Sequence, residues 1–153
     1  MDVKLVNPFI NATINVLETM AFVRVTAGKP YVKTDNQAVG DVSGVLGLTG
    51  VANGTISVTF EENCILTIVS KMFGETMDSL NHEIADAVGE LTNMISGQAR
   101  RELEDIGKVF KAAIPSVITG HNHSITHYSD GPKIAIPFNT EGGDFTIEVC
   151  FER

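Results

Sequence analysis

The chain has 153 residues, 19 acidic and 11 basic, for a formal charge of −8. With 43% hydrophobic and 20% charged residues it has the composition of an ordinary globular domain, long enough to bury a core without disulfides or a structural metal. The basic residues are scattered, which argues against a nucleic-acid or anionic-membrane surface, and no segment approaches the roughly 18 apolar residues of a membrane span. Cys64 and Cys150 stand far apart in apolar surroundings and read as buried free thiols of a reducing compartment, so a cytoplasmic location is expected.

Residues 7–20 place Ile10, Ile14 and Leu17 at helical spacing, with Pro8 in the first turn. A short β-type segment at 22–26 follows. Segments 39–48 and 51–60, rich in Val, Ile and Thr and joined at Thr49-Gly50, predict a hairpin with a bulge at Gly54. Residues 61–73 return to helical spacing and stop at Gly74. After a polar turn at 75–79, the longest helix is expected over 80–106, closed by Gly107. Beyond Pro115, strands are expected at 116–119, 123–128, 133–138 and 145–152, separated by turn signals at Gly120, Asp130-Gly131-Pro132 and Glu141-Gly142-Gly143. This order predicts one α+β domain over residues 1–153, an antiparallel or mixed sheet of about six strands with helices packed on one face. Two blocks that each open with a helix and continue in strands hint at an internal repeat.

The longest helix carries the most information. Ile84, Val88, Leu91, Ile95, Ala99, Leu103 and Ile106 fall on one stripe, while Asp86, Glu90, Asn93, Gly97 and Glu104 share the opposite side. Carboxylates on a solvated face are unremarkable, but Asn and Gly are poor choices there, Gly costing about 1 kcal/mol relative to Ala. A glycine on an open face lets another backbone approach closely, and Gly89 on the flank adds to the oddity. Glu90 and Asn93, three residues apart, project side by side. The Asn carboxamide does not titrate near neutral pH, so it is no general base. It can orient a water by hydrogen bonding, which suits phosphoryl transfer, where positioning dominates.

The run DAVGELTNMISG (86–97), with Pro115 following, resembles the signature of the CheC/CheX/FliY family of chemotaxis phosphatases: Asp or Ser, three residues, Glu, two residues, Asn, and a later Pro. The likeness extends to the N-terminal helix, the Gly-rich double strand VSGVLGLTGVANGTISVTF and the strand-rich C-terminal part. It implies a phosphatase acting on the phosphoaspartate of a CheY-type response regulator, with Asn93 orienting the attacking water and Glu90 docking to the regulator's lysine. Asp86, Met94 and Gly97 would complete the partner-binding face. Mg²⁺ would be held by the regulator, leaving this chain with no cofactor or metal ligand of its own. Family members with two sites carry the pair on two helices; here Glu18 is followed three residues later by Ala21, so a single, CheX-like site is expected, in a homodimer built by pairing sheet edges. The acidic face fits this reading, since it repels a free phosphate ester but accepts one already neutralised by Mg²⁺ on another protein.

Other constellations carry less. His121, His123 and His127 would project to one side of an extended segment, but no acid or thiol lies at ligand spacing and GHNH also reads as a turn, so no metal site is expected. Ser43-Gly44 has no evident acid/base partner in the sequence, and no phosphate loop or nucleophile elbow is present. The alternative function is a non-catalytic interaction or dimerisation module of the same fold, serving chemotaxis or a flagellar switch.

Overall fold

The computed structural model describes residues 3–127 and 131–152. Three helices, α1 (Val3–Ala21), α2 (Glu62–Phe73) and α3 (His82–Asp105), accompany eight strands: β1 (Thr26–Ala27), β2 (Tyr31–Lys33), β3 (Val42–Gly50), β4 (Gly54–Phe60), β5 (Phe110–Ala112), β6 (Ser116–Thr119), β7 (Lys133–Thr140) and β8 (Gly143–Phe151). The strands form one sheet ordered β1-β7-β8-β4-β3-β5, with β2 also on β7 and β6 also on β3. Every pairing is antiparallel, so the sheet is six strands wide, each edge position being split between two short strands.

The hinted repeat is real at the level of topology. Helix, two short strands and a hairpin recur as α1-β1-β2-β3-β4 and α3-β5-β6-β7-β8, and each half lends its short strands to the other half's hairpin. The helices cover one face. Alternate strand residues Val42, Leu46, Leu48, Ile56, Val58, Phe60, Ile136, Phe138, Phe145, Ile147 and Val149 meet Phe9, Val16, Leu17, Ile65, Ile68, Val88, Leu91 and Ile95 in one core, as the period of two in a strand requires. Phe145 stacks on Phe138 with ring centroids 4.9 Å apart and leans on Phe60 at 5.2 Å.

Several local expectations are corrected. α1 starts four residues earlier than its periodicity implied, putting Pro8 inside the helix. Thr49-Gly50 is no turn: both residues remain in β3, paired with β5, and the chain reverses over 51–53. Gly54 is regular strand paired with Leu48 and Phe151, and its missing side chain makes room for the Phe151 ring, which a Cβ would meet at 2.4 Å. Ile106 lies past the end of α3 and is 53% exposed. Gly107, at φ +82°, closes the helix, with Lys108 N–H donating to the Leu103 carbonyl and Gly107 N–H to that of Glu104, a Schellman arrangement.

The strand expected at 123–128 is absent from the described part of that segment, and Tyr128 lies outside the described residues. Residues 120–127 instead cross the face opposite the helices, bridged once to the 34–41 loop through Gln37 and Ser124. Ile125 and Ala38 there pack on Val45 in a small second core. This strap explains why Ser43, Ser57, Thr59 and Glu148, polar residues that alternation would put in water, are buried.

Candidate functional site

α3 is held at both ends and along its inner stripe. Asn81 caps it, its side-chain oxygen accepting from Ile84 N–H at 3.1 Å. Ile84, Val88, Leu91, Ile95, Ala99 and Leu103 are all buried, as the spacing predicted. Against α1 the helix is tied by Asn15 to Gln98 (2.9 Å) and Asn11 to Glu102 (3.1 Å). An outer residue of α3 is therefore carried on a rigid support.

Glu90 and Asn93 are both exposed on that outer side, and neither side chain is engaged in a hydrogen bond or ion pair among the described residues. Two shallow hollows flank the pair. One, of about 300 Å³, is lined by Glu90, Asp86, Glu83 and Ala87 with Met72 and Phe73 from the end of α2. The other, of about 280 Å³, contains Asn93, Met94, Gly97 and Arg101 with Thr19 and Met20 from α1. The five sequence-derived residues thus share one helix face but divide between two depressions, with Asp86 beside Glu90, and Met94 and Gly97 beside Asn93.

The two glycines of the helix separate here. Among the described residues a Cβ at Gly97 would meet only Arg100 Nη2, at 3.9 Å, so none of them demands glycine there. Gly89 faces Val117 of β6 at an ordinary 3.5 Å, which makes it part of the helix–sheet contact and not of the open face. Met20, Met72, Phe73 and Arg101 were not foreseen. Their proximity to the pair comes from packing of three helices, which no local pattern in the sequence records; at the end of α2, Met72 is half-buried and Phe73 exposed.

The histidines assemble on the strap side. His123 Nε2 lies 2.7 Å from Ser43 Oγ, which is also 2.5 Å from Thr59 Oγ1, so Ser43 has the imidazole partner that its sequence neighbours did not supply. Ser43 is wholly buried, however, and does not present a nucleophile to solvent. His121 pairs with Asp41 at 2.8 Å, and Asp41 also accepts Glu62 N–H at the start of α2; the His121 hydrogen bond, foremost, holds the Asp41 carboxyl below its ordinary value. His127 Nε2 and Lys33 Nζ hold the two oxygens of buried Glu148 at 3.1 and 2.9 Å. Burial alone would raise the Glu148 carboxyl, but these two partners outweigh it and keep it below the ordinary range. Among the described residues no group of three or more His, Cys, Asp or Glu is arranged to hold a metal ion. Cys64 and Cys150 are both buried, and burial, chiefly, pushes the Cys64 thiol up to about 12, far from a reactive thiolate. No helix among the described residues is long and apolar enough to cross a membrane.

The outer face of α3 thus carries a carboxylate and a carboxamide that are adjacent, mounted on an anchored helix and unengaged among the described residues. The family described as "Chemotaxis phosphatase CheX" matches residues 42–139 of the chain. The chain is 28% identical over 151 residues, 97% of each protein, to the CheY-P phosphatase CheX of Thermotoga maritima. It is similar to the solved structure of a CheC-like superfamily protein from Shewanella sp. PV-4, at 49% identity over the whole of both chains with a TM-score of 0.94. It is also similar to a chain of the CheX–CheY–BeF3–Mg²⁺ complex from Borrelia burgdorferi, at 26% identity over 97% of each chain with a TM-score of 0.83.

Proposed function

Since the chain belongs to the CheX family of chemotaxis phosphatases, we propose that it hydrolyses the phosphoaspartate of a CheY-type response regulator in the cytoplasm, with Asn93 and Glu90 as its working residues. The observation that carries this reading is the pair itself: two polar side chains without partners among the described residues, on the open side of an anchored helix. Asn93 hydrogen-bonds the water and holds it in line with the phosphorus. Water oxygen bonds to phosphorus, the bond from phosphorus to the aspartyl oxygen breaks, the regulator recovers its carboxylate, and the water protons pass to phosphate and solvent. Mg²⁺ on the regulator offsets the phosphoryl charge, and Glu90 pairs with the regulator's lysine to fix the approach. Asp86, Met94 and Gly97 contribute surface to the docked complex, and the chain works as a homodimer.

The test is phosphate release from a regulator charged with a small acyl phosphate in the presence of Mg²⁺. Acceleration by the wild-type protein supports the proposal. If release runs at the regulator's own rate with several candidate receivers while binding is retained, the non-catalytic interaction module becomes the better account.

A further inference from the structure

Gly44 lies in the middle of β3, paired with Val58 of β4 on one side and Val117 of β6 on the other. Ladders on both sides fix its backbone. On the helix face, a Cβ at Gly44 would lie 2.0 Å from Thr92 Oγ1, 3.0 Å from Thr92 Cβ and 3.3 Å from Val88 Cγ1. Thr92 is wholly buried, and its hydroxyl donates to the Val88 carbonyl at 2.7 Å, which fixes the side chain in that orientation. The strand thus has a notch at Gly44 and the helix a knob at Thr92. The knob belongs to the same turn of α3 whose outer residues are Glu90 and Asn93.

We propose that Gly44 is a positioning residue for the phosphatase site, setting through Thr92 how far Glu90 and Asn93 project from the sheet. The inference rests on the reading of Asn93 and Glu90 given above and adds what holds them in place. Because β3 is pinned by both ladders, a methyl group at residue 44 is relieved by lifting this turn of the helix. Glu90 has a long, flexible side chain and still reaches its partner after such a shift. The shorter Asn93 does not, and a misplacement of about 1 Å can cost roughly a hundredfold in rate. Gly89 supplies an internal control, since a methyl there enters the same helix–sheet contact at an ordinary distance.

The experiment measures kcat and KM for phosphate release, with chemical stability in parallel, for wild type, Gly44→Ala, Gly44→Ala/Thr92→Ala and Gly89→Ala. Gly44→Ala is expected to lower kcat roughly a hundredfold with little change in KM. Removing the Thr92 hydroxyl and methyl in the double variant is expected to restore much of kcat, and Gly89→Ala to behave as wild type. Wild-type kcat in folded Gly44→Ala, or no recovery in the double variant, overturns the proposal. Should Gly44→Ala not fold, Thr92→Val carries the test: its methyl is bulkier than the hydroxyl it replaces, kcat is expected to fall severalfold, and unchanged kcat overturns the idea. Asn93→Ala, run alongside, separates the two levels. If wild type is active and Asn93→Ala is not, yet the Gly44 and Thr92 variants are fully active, only the positioning role is lost; if Asn93→Ala is itself fully active, the reading of the site fails.

Discussion

Gly97 disfavours the helix by about 1 kcal/mol relative to Ala, and no contact among the described residues requires it. In the proposed complex, the bare backbone beside Asn93 would let the partner approach closely. Gly97→Ala is therefore expected to raise unfolding stability by up to about 1 kcal/mol in a denaturant titration. Gly97→Leu, with a side chain standing into the same space, is expected to fold normally and to raise KM for the phosphorylated receiver; an unchanged KM removes Gly97 from the docking face. Glu90→Ala is expected to raise KM while leaving much of kcat, by loss of one charged contact at an interface. These residues were legible in the sequence because an open helix face obeys simple geometry. Thr92, between Glu90 and Asn93, was not singled out, since the one thing that gives it meaning is the absence of a side chain at Gly44 on a distant strand.

α3 was the most legible element: its buried stripe and its glycine terminus follow from local chemistry, whereas its start was expected at Leu80 and the Asn81 cap, ahead of His82, was not read. Asn81→Ala is expected to cost about 1 kcal/mol of stability, read as a lower denaturation midpoint, by leaving an N-terminal amide without its acceptor. The hairpin of β3 and β4 was found, but its turn was misplaced, because Thr49-Gly50 looks like a reversal and continues as strand only because β5 pairs with it. β2 and β5 have three residues each, too few for a period to declare itself. Residues 123–127 alternate like a strand yet form a strap, because the positions they cover offer side-chain partners, Ser43 and Glu148, in place of a free ladder.

At the scale of the molecule, the sheet separates two kinds of burial: an apolar core under the helices and a polar layer under the strap. The second layer depends on Glu148, 1% exposed between Lys33 and His127. Its carboxyl is held below its ordinary range in the folded protein, so its contribution to stability is present above the unfolded carboxylate value and is lost as pH falls through the lowered folded value. Glu148→Gln is expected to lower stability at neutral pH by up to about 3–5 kcal/mol, leaving buried Lys33 with only the exposed Asp35 carboxylate, 3.6 Å away, as counter-charge. The gap between variant and wild type should narrow as pH falls below the ordinary carboxylate range, where the unfolded carboxyl takes up its proton, and on through the lowered folded value. A gap constant from pH 7 to pH 3 would contradict this assignment. The strap stands on the far face from α3, so the same variant, where folded, is expected to keep wild-type kcat. The charge of −8 is likewise divided, and the share carried by Glu83, Asp86 and Glu90 lines one hollow of the proposed docking face. That distribution fits a protein-borne, Mg²⁺-neutralised phosphoryl group better than a free anion. The most direct measurement is phosphate release from an acyl-phosphate-charged CheY-type receiver by Asn93→Ala, with binding to the same receiver measured alongside. Loss of the stimulated release by roughly a hundredfold or more with binding intact is the predicted result; full activity in Asn93→Ala would contradict the account.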